Sequence, residues 1–540
     1  MKIDPEGAVP EAVAQGPISA EIQKAARGGQ LARLARVVGA VEPYLVVFMA
    51  SAAGLVIEIV AARILAPVIG VSLYTWTSVI GIVLAGISLG NFFGGIIADR
   101  RASHTLLGVV LGAAAVMSLG VLPLAAVVPD WLADYPILLR IVLLTTILFF
   151  VPSTLLAMVS PIVIKLQLRD LGKTGKVVGR LYAVSTSGAI FGVFITGFVL
   201  VQWIGSRPTI ALVAATLTAM ALVFGRLWRL KPAGAAVVVA SGLALGYAVR
   251  GGYFETPCVD ESAYYCIKIT DGPDGAGNVK ALVLDQLVHS YVSLDDPTEL
   301  SEYGYEVIFS EVAEYVADRT PEFRSLFIGG GGYVLPRYLE AVYPASHVEV
   351  IEIDPAVTRV VYDRLGLRRD SRIVSFHEDA RMKVPRLEGG SYQLVIGDAF
   401  NDVSVPYHLT TREFNEQVRD LLTPDGIYAV NIVDKPHSGQ FLRSFLHTMR
   451  ETFPYVTLVS SDGNWSFDFR TTIIVLASTR EITGRDLQDA ARRIGKAAPT
   501  SHLIDRDTLD QLMNERRAVL LTDDHAPVDQ MLAPLYLESR

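Results

Sequence analysis

Four consecutive glycines, Gly329 to Gly332, follow a short apolar run at 325–328, and acids stand at the ends of the next runs: Glu352, Asp379 and Asp398. Glycine after a strand lets backbone N–H groups and a helix N-terminus come close to a ligand. A carboxylate about twenty residues on can hold the hydroxyls of a ribose. Together these features suit the binding of a nucleoside. Asp354, just before Pro355, reads more simply as a helix cap. No Lys-Ser/Thr pair follows the glycines, which argues against a triphosphate loop. There is no G-x-S-x-G elbow. In the acidic half of the chain His502 and His525 stand alone, so no metal site is expected.

The elements that must position these residues alternate in type. A helical pattern near 302–317 precedes strand patterns at 325–328, 348–353, 372–376 and 393–397. Further strands are expected near 426–432, 455–460 and 471–477, separated by helical segments. This predicts a mostly parallel, twisted sheet flanked by helices, with the ligand beyond the carboxyl ends of the strands. Ahead of it, runs at 264–269, 281–284 and 288–294 read as a small β-unit.

The first half of the chain is of another kind. Hydrophobic residues make up 51% of the whole and charged residues only 19%. Residues 1–250 carry 19 Lys/Arg against 10 Asp/Glu, whereas residues 251–540 carry 28 against 45. The acidic half would repel phosphates, so no nucleic-acid partner is expected. Apolar runs near 44–66, 74–98, 105–128, 138–160, 181–203, 208–227 and 233–249 each approach the length that crosses a bilayer. The polar segment 1–40 has no apolar core of a cleaved signal. Expected boundaries are therefore a polar N-terminal segment (1–40), a multi-pass α-helical membrane domain of about seven spans (41–250), the small β-unit (251–300) and a Rossmann-like α/β nucleoside-binding domain (301–540).

Cations cluster in alternate connections. Arg100 and Arg101 lie in one, Lys165, Arg169, Lys173, Lys176 and Arg180 in another, and Arg226, Arg229 and Lys231 in a third. By the positive-inside rule the N-terminus is cytoplasmic in an inner or cell membrane, and seven crossings put the C-terminal domain outside. Cys258 and Cys266, eight residues apart, are a disulfide candidate that would persist in such a compartment, with two unrelated buried thiols as the alternative. Glycines four apart (Gly86, Gly90 and Gly94; Gly188 and Gly192) signal close helix packing. Glu58 lies inside the first run with Arg63 a little more than a turn later: an intramembrane functional acid, or half of a structural ion pair.

The soluble half resembles the spermidine synthase (polyamine aminopropyltransferase) family in its membrane-fused form, over roughly residues 258–480. The stretches that carry the likeness are 261–265 (Glu-Ser-Ala-Tyr-Tyr), Leu284-Asp285, 303–306 (Tyr-Gly-Tyr-Glu), 328–332, Glu352-Ile353-Asp354-Pro355, Glu378-Asp379-Ala380 and 397–402 (Gly-Asp-Ala-Phe-Asn-Asp). The resemblance implies a methyltransferase-type fold. It implies that Gly329, Gly330, Gly331 and Glu352 hold the thioadenosine part of decarboxylated S-adenosylmethionine. Asp379 and Ala380 would face the adenine, and Tyr265 and His289 would lie where the family has glutamines. Asp398 would take a proton from the attacking amine and Tyr305 would orient it, with Tyr264, Asn401 and Asp402 on the substrate side. Departures accompany the likeness: Gly332 replaces an aspartate that meets the donor's amine, and Asn401 replaces the second aspartate of the catalytic loop. Fewer carboxylates attract a polycation less.

The expected function is a membrane-bound, aminopropyltransferase-like transferase. It would pass a group from decarboxylated S-adenosylmethionine, or S-adenosylmethionine itself, to a polyamine or other small amine. The alternatives are an S-adenosylmethionine-dependent methyltransferase, and a transporter or sensor whose outer domain only binds a nucleoside or polyamine. The expected partners beyond substrate are the lipid bilayer and, for association, a homodimer.

Overall fold

The computed structural model describes residues 17–168, 170–229, 231–273, 277–300, 304–399, 405–463, 465–514 and 517–538. Among the described residues, seven helices in the first half are long and apolar enough to cross a membrane. They are α1 (Pro17–Ile69), α2 (Leu73–Arg101), α3 (His104–Trp131), α4 (Ile137–Gln167), α5 (Thr174–Ile195), α6 (Ser206–Val223) and α7 (Lys231–Arg250). In α1 the crossing stretch is Ala40–Ile69, and α5 continues through a π-turn at Thr196–Leu200 to Trp203. Ser72 and Ser103 start α2 and α3 by accepting the N–H groups of Thr75 and Leu106, which satisfies donors that have no partner within the helix.

The glycine rows do what their spacing suggests. A Cβ on Gly90 would lie 2.2 Å from the Thr154 carbonyl oxygen of α4, and one on Gly188 would lie 2.2 Å from that of Phe48 in α1. Only glycine permits these backbones to approach so closely. Phe92, Leu84, Val239 and Leu243 are exposed on the outside of the bundle, the arrangement lipid-facing side chains require.

The Glu58–Arg63 ion pair is not formed. Near the end of α1, Arg63 turns to the other half of the chain: Nη1 donates to the Tyr264 carbonyl at 2.9 Å and Nη2 to that of Ser262. A guanidinium close to the end of a span finds these fixed carbonyl dipoles beyond the apolar layer.

The second half begins with a four-stranded antiparallel sheet, β1 (Asp260–Glu261), β2 (Cys266–Asp271), β3 (Val279–Leu284) and β4 (Leu287–Ser293). Asp285 takes a left-handed conformation (φ 53°) in the β3–β4 turn, and its carboxylate accepts the N–H of Cys266. Then come α8 (Gly304–Ala317), β5 (Arg324–Ile328), α9 (Val334–Val342), β6 (His347–Ile351), α10 (Pro355–Arg364), β7 (Val374–Phe376), β8 (Tyr392–Gly397), β9 (Leu422–Asp434), α11 (Gln440–Arg450), β10 (Tyr455–Ser460), β11 (Thr471–Ser478) and β12 (His502–Leu503). The eight strands are ordered β12-β10-β11-β9-β8-β5-β6-β7. Successive residues feed opposite faces: Phe327 enters one core, Leu326 and Ile328 the other, the two-sided burial of a sheet with helices on both faces.

The sheet is less parallel than the sequence suggests. The pairs from β7 through β6, β5 and β8 to β9 are parallel, but β11 is antiparallel to β9 and to β10, and β10 to β12. The short stretch between β10 and β11 cannot hold the crossover that parallel neighbours need. As a result, the start of β11 lies at the same edge of the sheet as the ends of β5, β6, β8 and β9.

Candidate active site

A cavity of about 580 Å³ lies along that edge. At its β5–β6 end the glycine loop turns sharply, with Gly329 at φ 100° and Gly331 at φ 48°. A Cβ on Gly329 would come within 2.4 Å of the Asp398 carbonyl oxygen, so β5 and β8 can end side by side only without one. Glu352 is buried. Its Oε2 accepts the Gly330 N–H and its Oε1 the Asp354 N–H, each at 2.9 Å. Burial raises its pKa, and these N–H groups oppose the rise. The Gly331 N–H also acts on this carboxylate, and its four acceptor sites still leave one for a ligand hydroxyl. Asp354 caps α10 through the Ala356 N–H and also accepts the Ser262 hydroxyl.

Asp379 accepts the Arg381 N–H at 2.7 Å, and its other oxygen lies 3.4 Å from His408 Nε2. Both residues line the cavity, as do Ala380, Tyr265 and His289. His289 is on β4, with Nε2 buried and without a hydrogen-bond partner. Burial pushes its pKa down to about 4, so the ring is neutral at ordinary pH. Burial also raises the Tyr265 phenol, with Glu352 adding to the effect.

Asp398, at the end of β8, stands mid-cavity. Its Oδ1 accepts Asn431 Nδ2 at 2.8 Å. Loss of water around it pushes its pKa up to about 6, and the Asn431 amide partly opposes the shift. A raised pKa makes the carboxylate a better proton acceptor near neutral pH. Tyr305, at the start of α8, lines the same space and packs edge-on against Phe309, ring centres 6.0 Å apart. At the β9–β11 end the lining comprises Asn431, Val433, Arg470, Thr471 and Thr472.

Ten of the residues singled out from sequence meet here: Asp398, Tyr305, Gly329, Gly330, Gly331, Glu352, Asp379, Ala380, Tyr265 and His289. Tyr264 is not among the lining residues. It is 43% exposed, on the bend before β2 that hydrogen bonds between Ser262 and Tyr265 close. Asn401 and Asp402 lie outside the described residues. Cys258 and Cys266 form a disulfide with Cα atoms 5.2 Å apart and are not among the lining residues. Gly332, where the resemblance would call for a donor-binding aspartate, gives its N–H to Ser290 Oγ at 2.9 Å. A Cβ there would lie 2.7 Å from Ser290 Cβ and Val292 Cγ2.

Sequence reasoning missed His408, Asn431, Ser290 and Arg470. Asn431 and Arg470 could have been found only by knowing that β9 adjoins β8 and that β11 adjoins β9.

No family model matches the chain. Over 139 residues it is 34% identical to the polyamine aminopropyltransferase of Vibrio vulnificus, covering 25% of this chain and 46% of that enzyme. The second half of the chain is similar to the polyamine aminopropyltransferases. It is also 26% identical, over 152 residues, to the human eEF1A lysine and N-terminal methyltransferase, covering 26% of this chain and 22% of that protein. The chain thus spans about half the length of the first relative and about a fifth of the second. Among solved structures, a probable spermidine synthase from Corynebacterium glutamicum aligns with TM-score 0.44 at 23% identity, over 51% of this chain and 98% of that one.

Proposed function

We propose that the protein is a membrane-anchored transferase of the aminopropyltransferase type. In this reading it moves an alkyl group from a sulfonium nucleoside, decarboxylated S-adenosylmethionine or S-adenosylmethionine, to an amine. The observation that carries it is Asp398, a carboxylate with its pKa raised to about 6, mid-cavity between a ribose-type site at Glu352 and an open end at Asn431. The nucleoside occupies the β5–β6 end, with its ribose on Glu352 and its base near Asp379 and Ala380. The amine occupies the β9–β11 end beside Tyr305.

The nitrogen lone pair forms the new C–N bond as the C–S bond breaks. The C–S electron pair goes to sulfur, which becomes a neutral thioether, and the proton leaving nitrogen passes to Asp398. A sulfonium-bound carbon is already activated, so the protein has chiefly to align the reactants and hold the amine neutral.

The surroundings of Gly332 support a second reading. Ser290 and Val292 fill the space where a carboxylate would meet the amine of a decarboxylated donor. S-adenosylmethionine with methyl transfer is therefore the alternative, in keeping with the likeness to a methyltransferase. Incubating the purified protein with each donor and a panel of amines decides: methylthioadenosine with an aminopropylated product, or S-adenosylhomocysteine with a methylated one. No consumption of either donor would leave only a binding role.

We also place the soluble half outside the cytoplasm. The cation-rich connections lie at the opposite end of the bundle from Arg63 and Ser206, which contact segment 261–264, and cations favour the cytoplasmic side. The Cys258–Cys266 disulfide suits an oxidising compartment.

A further inference from the structure

Arg470 immediately precedes β11 and lines the cavity beyond Asp398, on the side away from Glu352. The sheet order fixes this direction. From β6 the cavity runs across β5 and β8 to β9 and β11, so Arg470 is two strand spacings from the Asp398 strand, roughly 10 Å. Among the described residues no carboxylate pairs with it. The nearby acids are engaged elsewhere: Asp434 accepts the N–H groups of Lys435 and Leu442, and Asp468 those of His437 and Ser438. Glu306, which also lines the cavity, is buried.

A second observation lies between Arg470 and Asp398. Asn431 is only 5% exposed, and while its Nδ2 donates to Asp398, its Oδ1 is buried with no hydrogen-bond partner. An unpartnered buried acceptor is costly. Beside Asp398, it is placed to take an N–H of an incoming amine. Beyond it stand a guanidinium and the hydroxyl-bearing Thr471 and Thr472, all of them groups suited to an anion.

Building on the transferase reading above, we propose that the acceptor is an amine that also carries an anionic group, a carboxylate or a phosphate. Its nitrogen lies between Asp398 and Asn431 Oδ1, and its anion meets Arg470. A diamine such as putrescine would put its second ammonium against the guanidinium, and like charges at close range repel. The donor, the bonds formed and broken and the proton's path are those already given; only the acceptor is specified further.

The test uses the full-length protein in lipid nanodiscs with both donors. The acceptors are butylamine, putrescine, 4-aminobutyrate, O-phosphoethanolamine, and vesicles of phosphatidylethanolamine with phosphatidylcholine as the control lacking a free amine. The wild type should use an anion-bearing amine in preference to butylamine and putrescine. Success with O-phosphoethanolamine or 4-aminobutyrate marks a soluble acceptor, and success with phosphatidylethanolamine alone marks a lipid headgroup. Arg470→Gln should raise KM for that acceptor roughly 10- to 100-fold, the effect of losing a charged hydrogen bond, while KM for the donor holds. Arg470→Glu should shift preference toward putrescine. Arg470 is exposed, so both variants should fold; unchanged donor affinity by calorimetry checks this. Preference for putrescine in the wild type, or an acceptor KM indifferent to Arg470→Gln, overturns the inference and leaves the transferase reading intact. Turnover of no amine with either donor overturns both.

Discussion

Arg63, near the end of α1, donates to the backbone carbonyl of Tyr264 at 2.9 Å, and the next residue, Tyr265, lines the candidate nucleoside site. The segment carrying both tyrosines is held from several sides. Ser206 of α6 donates to Glu261, the Ser262 hydroxyl donates to Asp354, Arg359 pairs with Asp260, and the Cys258–Cys266 disulfide closes the loop. The bundle therefore bears on the wall of the cavity through one short segment. Arg63→Ala should raise KM for the donor several-fold while turnover at saturation changes little, and should make residues 251–265 easier to cleave in limited proteolysis. Equal donor KM and equal proteolysis would mean that the bundle serves only as an anchor.

Glu352→Ala removes the carboxylate proposed to hold the ribose and strands the Gly330 and Asp354 N–H groups. Affinity for an adenosyl ligand should fall by about 1.5–3 kcal/mol, as for a charged hydrogen bond. Titration calorimetry with S-adenosylhomocysteine and methylthioadenosine reads this directly, and unchanged affinity would take Glu352 out of the site.

Asp398→Asn keeps the side chain's size and an oxygen to accept Asn431 Nδ2. Turnover should fall roughly 10²- to 10⁴-fold, the usual cost of losing a general base, with donor binding unchanged. Stability should not fall. Because the folded state holds the Asp398 proton more tightly than the unfolded chain does, ionising it disfavours folding as pH rises through about 6. At pH 8 the variant should therefore melt at or above the wild-type Tm, and a large drop would assign Asp398 to the fold instead.

The same shift sets the pH profile. Wild-type turnover should rise with pH through about 6, as Asp398 ionises, and His289, held neutral by burial, should add no step above about 5. A rise that survives unchanged in a variant retaining slow activity, such as Asp398→Asn, would assign the ionisation to the amine substrate.

Topology is open to labelling. A cysteine placed at exposed Asp370 should react with a membrane-impermeant maleimide in intact spheroplasts. Reaction only after lysis would put the soluble half in the cytoplasm. Non-reducing peptide mapping should find Cys258 and Cys266 joined.

The number and approximate limits of the apolar helices were legible in the sequence because the length and polarity of a run are local properties. The glycine run and the acids at 352, 379 and 398 were legible for a similar reason, since parallel strands joined by helices all end at one edge of the sheet, whatever their order across it. Where chain order and spatial order part, the sequence was silent. Asn431 and Arg470 reach the cavity because β9 adjoins β8 and because β11 runs antiparallel beside β9, and no residue spacing encodes that neighbourhood. Arg63 read as half of an intramembrane pair, yet its partners are carbonyls some two hundred residues away. Local pattern determines which elements form and which faces they bury. Which side chains share a cavity, and so what charge an acceptor meets there, is decided only when the strands take their order in the sheet and the bundle closes on the segment beside it.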